Sequence, residues 1–145
     1  MNITKEENED KNSGKETSYN VIDLVFAIRE RMYIRAIEHY EGLLNKNYDR
    51  NIANEYINAI RFYQSLSDND KKHIRFLLNT VIDDTICSFL TWLDSGYYLS
   101  NQEEDVELKI GEKKMNIKGA LSDIWKNIQD NVKRDDLEDI YGDTE

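Results

Sequence analysis

Carboxylates are the only numerous reactive group in this chain. Aspartate and glutamate account for 29 of 145 residues against 19 lysines and arginines, a net charge of −10. Glu38 and Glu41 stand three apart, which on a helix puts them on one face, and Asp83 and Asp84 follow each other farther along. Acids at the first spacing could help hold magnesium for phosphate chemistry, although that ion prefers one or two carboxylates plus substrate phosphates. Asp83 and Asp84 diverge by about 100° around a helix, so they do not easily face one ion. His39 and His73 each lack a second histidine three or four residues away, and no helical metal pair exists. Asp70-Lys71-Lys72-His73 offers one carboxylate and one imidazole, fewer ligands than zinc needs. Cys87, the sole cysteine, adjoins Ile86 and reads as a small buried hydrophobe without a disulfide partner. No glycine-rich phosphate loop and no Gly-x-Ser-x-Gly elbow occurs. The expectation is a chain without catalytic residues, metal or cofactor.

Aromatic residues are the remaining signal. Tyr97 and Tyr98 precede Glu103, Glu104 and Asp105, and tyrosine brings large rigid area to an interface at low entropy cost. A tyrosine pair beside carboxylates suits a basic partner. The alternative, at even weight, tucks Leu99 and one tyrosine inward to close the core. A second acidic group, Asp135, Asp136, Glu138 and Asp139, lies in residues 134–145, whose net charge is 1 − 6 = −5. These nine residues are the candidate partner-binding set. Net negative charge would steer the protein to a positive partner and argues against the phosphate backbone of nucleic acid.

In size, acidity and lack of catalytic motifs the chain resembles immunity proteins that neutralise toxin domains, many of them basic nucleases. That resemblance implies an inhibitor capturing a basic protein. Glu38-His39-Tyr40-Glu41 also resembles the first half of the Glu-x-x-Glu and Glu-x-x-Asp pattern with which all-α nucleotide pyrophosphohydrolases of the MazG type hold magnesium. The second half is absent. As an alternative it implies a magnesium-dependent nucleotide hydrolase in which Glu38, Glu41 and Asp83 converge. A third reading is a homo-oligomeric structural or regulatory subunit, such as a homodimer, built on uncovered helix faces.

The elements that must position these groups are mainly helical. Val21, Val25, Ile28, Met32 and Ala36, with Ile22, Phe26, Tyr33, Ile37, Tyr40 and Leu44, form two adjacent apolar rows that predict one helix over 20–46 capped by Asn20. Ile52, Tyr56, Ile57, Ile60 and Tyr63 predict a second over 51–64. Ser67-Asp68-Asn69-Asp70 resembles a capping box opening a third, which runs to Asp94-Ser95-Gly96 with Gly96 as the left-handed stop. Val106, Leu108 and Ile110 alternate with charges before Gly111-Glu112, predicting a two-residue antiparallel hairpin over about 106–117 that pairs Ile110 with Lys113. Leu121, Ile124, Trp125, Ile128 and Val132 predict a fourth helix.

The expected architecture is mainly α (α+β), an irregular four-helix bundle with that small hairpin between the third and fourth helices. Its boundaries are a disordered tail at 1–18, a helical domain at 19–133 and an acidic tail at 134–145. The second helix can cover only about half of its long neighbours, so the hairpin and fourth helix must cover the rest or leave a surface for a partner. No run of about 18 consecutive apolar residues occurs, and the start of the chain lacks a basic-then-apolar leader. A cytoplasmic protein without membrane attachment is expected.

Overall fold

Asn20 sits in extended backbone, and its side chain accepts from the Asp23 amide while Asp23 accepts from the Asn20 amide, a reciprocal cap that fixes where the first helix begins. The computed structural model describes residues 19–49, 54–115, 117 and 119–142. The elements are α1 (Val21–Ile28), a π-helical stretch (Arg29–Ile34), α2 (Arg35–Leu44), α3 (Glu55–Ser65), α4 (Asp68–Leu93), β1 (Lys109–Ile110), β2 (Lys113–Lys114), α5 (Leu121–Gln129) and α6 (Arg134–Tyr141). Because α1, the π stretch and α2 run on without a break, the described residues are mainly helical, with five helices and one short antiparallel strand pairing among them. The expected tail at 1–18 lies outside the described residues, as do 50–53 at the expected start of the second helix.

Several expectations meet a different outcome. The two apolar rows of the first helix predict a wide face packed on more than one neighbour, yet only Val21, Ile22 and Val25 are buried, and α2 buries no residue. The π stretch accounts for part of this change. Its wider turn interrupts the 3.6-residue period, so the two rows do not continue onto one face. At the end of α4 it is Ser95, not Gly96, that takes the left-handed conformation, with φ 59°. Gly96 is needed for close approach instead, since a Cβ there would stand 2.6 Å from Thr91 Cγ2.

Ile110 does pair with Lys113, but strand geometry extends only over 109–110 and 113–114 rather than across 106–117. Gly111, at φ 61°, supplies the turn. Of the apolar face, Met115 and Ile117 are buried whereas Ile110 stays exposed. Residues 134–141, expected within the acidic tail, form α6, because Leu137 is wholly buried and anchors it on α1. An Arg134–Asp23 ion pair closes the same seam, and Arg134 also bonds Glu138 at 2.7 Å. Burial pushes the Asp23 carboxyl up, but the hydrogen bonds and charge of Arg134 and the Asn20 amide bring it net below its ordinary value.

The main core gathers Val21, Ile22, Val25, Leu90, Met115, Ile117, Leu121, Ile124, Trp125, Ile128 and Leu137. It therefore lies between α1, the carboxyl half of α4, α5 and α6. Helices α2 and α3 with the amino half of α4 form a looser wing in which Ile57, Ile60 and Tyr63 are buried. Helix α4, about 39 Å long at 1.5 Å per residue, joins the two regions. An 18-residue window of α4 has mean hydropathy 1.2, so by length and composition it could span a membrane, and only 11% of that window is buried.

Candidate functional site

Helix α5 begins at Ala120, whose methyl side chain cannot cap it. Asp94, the residue that closes α4, does so from 27 positions away. Its Oδ1 accepts from the Leu121 amide at 3.1 Å and its Oδ2 from the Ser122 amide at 2.7 Å. The acid is 7% exposed, and burial raises its pKa in spite of those bonds. Asp94 thereby fixes the end of α4 against α5 and forms one wall of a cleft.

That cleft has a volume of about 380 Å³. Leu93, Val106, Met115 and Ile117 supply apolar lining, and Asp94, Asp105, Glu107 and Lys114 supply the charged groups. Three acids against one lysine leave a net of 1 − 3 = −2. Lys114 bonds Glu107 at 2.5 Å across the strand pairing, which holds the Glu107 carboxyl below its ordinary range. Asp105 accepts from the Tyr98 hydroxyl at 2.5 Å, and that bond pushes the phenol up. Apolar lining beside the exposed carboxylates of Asp105 and Glu107 is the complement of a lysine or arginine side chain, which buries its methylenes and keeps its charge at the surface.

The sequence-predicted residues divide between three places. Asp105 lines the cleft, and Tyr98 bonds to it. Tyr97 donates to the Ser88 carbonyl at 2.9 Å on the outer side of α4, and Glu103 and Glu104 are exposed in the following loop. Neither tyrosine tucks into the core, and Leu99 is exposed as well. Gln102 holds that loop in place: its Oε1 accepts from the Trp92 indole at 2.7 Å and from the Leu99 amide at 3.1 Å. The α6 acids Asp135, Asp136, Glu138 and Asp139 are exposed, but none lines the cleft. Sequence reasoning missed Asp94, Glu107 and Lys114. Alternation of charge with apolar residues over 106–110 was a signal for Glu107; no local signal links Asp94 to α5.

Asp83 serves a structural junction. Its Oδ1 accepts from Trp125 Nε1 at 2.8 Å and Gln129 Nε2 at 2.6 Å, and Gln129 Oε1 accepts from Arg29 Nε at 3.2 Å in the π stretch. Tyr33 meets the Trp125 ring edge-on at 5.7 Å. Glu38 and Glu41 are exposed on α2. Among the described residues no three histidine, cysteine, aspartate or glutamate side chains converge where a metal ion could be held, so Glu38, Glu41 and Asp83 do not form such a group. His39 lies against Tyr40, His73 stands 3.3 Å from Asn69, and Cys87 packs on the core. No protein-family model, curated protein or solved structure matches this chain.

Proposed function

We propose that this protein is a binding module that captures a basic protein, with the cleft at the end of α4 receiving a lysine or arginine side chain of that partner. One observation carries the reading: Asp94, Asp105 and Glu107 share with Leu93, Val106, Met115 and Ile117 the lining of one cavity of about 380 Å³. The net charge of −10 speeds encounter with a positive partner, and the cleft then selects a long cationic side chain. An immunity-type inhibitor of a toxin domain is one protein of this kind. The α6 acids extend the negative field and are not part of the cleft.

Titration with an octa-arginine peptide tests the reading. Asp105→Asn with Glu107→Gln is expected to weaken binding at least tenfold and to flatten its dependence on salt. A control of equal charge change on α4 and α2, Asp68→Asn with Glu41→Gln, is expected to change it less than twofold. Equal losses in both variants would reduce the interaction to net charge and overturn the role of the cleft.

A further inference from the structure

The π stretch is tied to α4 and α5 by a relay of side chains. At its end the Arg35 amide donates to the Glu30 carbonyl five residues back, where an α-helix would bond four back. Turns of this kind are rare, interrupt α-helices over a few residues and gather at functional sites. Arg29 Nε donates to Gln129 Oε1 at 3.2 Å, and Gln129 Nε2 donates to Asp83 Oδ1 at 2.6 Å. Trp125 Nε1 donates to the same oxygen at 2.8 Å. The Tyr33 ring meets Trp125 edge-on and carries the Arg29 guanidinium 6.0 Å from its centroid. Val25 in the core, Arg29 and Tyr33 therefore share one side at steps of four residues. An α-helix would drift by about 80° over those two steps, and the wider turn takes up that drift.

The sequence also carries the other register. Val21, Val25, Ile28, Met32 and Ala36 form an apolar row at spacings of three and four, beside the row that holds Tyr33, Ile37, Tyr40 and Leu44. Beyond Arg29 the structure turns Tyr33 inward and leaves Met32 56% exposed. Closing residues 29–34 into an α-helix would advance every later residue by about 100° around the axis. Met32 would then take the place of Tyr33 against Trp125, and Ala36 that of Ile37. Helix α2 buries no residue, so the rotation gives up little packing. Gln64 of α3 holds the end of α2 through the Leu44 and Lys46 carbonyls, at 3.0 Å each, and such backbone groups select no side-chain row. We infer that residues 29–34 are a register switch between a π and an α form, latched in the π form by the Arg29–Gln129–Asp83 relay. Packed elements move between discrete arrangements of this kind and do not deform continuously. Releasing the latch turns α2 about its own axis and withdraws Tyr40 and Leu44 from an apolar groove of about 260 Å³ between α2, α3 and α4. The cleft takes no lining residue from these elements, so the switch is independent of it.

Methyl NMR of the full chain labelled at methionine tests the switch, with the buried Met115 as internal reference. In wild type the Met32 methyl is expected to lie open to a soluble gadolinium chelate and to show no contact with the Trp125 ring. Gln129→Leu removes both bonds of the relay and leaves Trp125 bonded to Asp83. Its Met32 methyl is expected to gain a nuclear Overhauser contact to the Trp125 ring and to lose at least threefold of the relaxation caused by the chelate. Arg29→Leu, which cuts the relay at its other end, is expected to do the same. Deleting Arg31, an exposed residue, removes the extra position of the wide turn and leaves Tyr33 on Trp125 in an unbroken α-helix. In that background Gln129→Leu is expected to leave Met32 exposed. A Met32 methyl unmoved by both Gln129→Leu and Arg29→Leu overturns the latch, and unfolding of both variants does so too, since the relay would then serve the fold itself. Movement that persists after the deletion reports general loosening and overturns the switch, as does a Met32 already protected in wild type.

Discussion

Leu90 and Phe76 are large apolar residues about four turns apart on one unbroken helix, and they meet opposite surroundings. Leu90 is wholly buried, under α1 and α5, whereas Phe76 is 68% exposed. The carboxyl half of α4 belongs to a core closed on several sides, by α1, α5, the short strand pairing and α6. Among the described residues the amino half has α2 and α3 beside it, and the apolar groove lies between the three. One period in the sequence therefore meets two outcomes: a half that folding buries and a half that it leaves exposed. The difference lies in the number of neighbouring elements and not in the residues of the helix.

Substitutions at the two ends sharpen this contrast. Trp125→Ala removes the largest fully buried side chain and leaves Asp83 without its indole donor; a loss of about 3–5 kcal/mol is expected in urea unfolding. A smaller effect, about 1–2 kcal/mol, is expected for Asp94→Asn, which keeps one acceptor of the two that cap α5. Because burial raises the pKa of Asp94, its favourable contribution is complete below the ordinary carboxylate value and declines as pH rises through the higher folded value. The stability gap between wild type and Asp94→Asn should therefore narrow as pH is raised across that window. A gap that widens would contradict the burial argument.

Gly111→Ala places a Cβ at φ 61° in the strand turn, and about 1 kcal/mol of destabilisation is expected. Phe76→Ala, in the wing, is expected to change stability by less than about 0.5 kcal/mol. If it instead costs as much as a core truncation, the amino half of α4 is buried in solution and the contrast between the halves fails.

The structure also separates what could be read locally from what could not. The caps at Asn20 and Ser67 were legible because each rests on atoms three residues apart. The pairing of Ile110 with Lys113 was legible because a two-residue turn fixes the register on either side of it. Tyr98 and Asp105, seven residues apart, bond each other, but Asp94 joins Asp105 at the cleft from a position that reads as a helix stop, and the α6 acids line no part of it. Residues 134–141 read as an acidic tail in which Leu137, Ile140 and Tyr141 could fold one last turn onto the body, and in α6 Leu137 is buried and Tyr141 packs on the core while Ile140 is exposed.

The sequence by itself determined the helical character, the starts of α1 and α4 and the surplus of negative charge, since each depends on residue type and on spacings of four or fewer. Only the tertiary structure decided which half of α4 is buried, where the π stretch ends the buried face of the first helix, and which acids share a cleft. Those outcomes depend on how many elements pack on a given face, and that number is set by contacts between residues tens of positions apart, which no local period encodes.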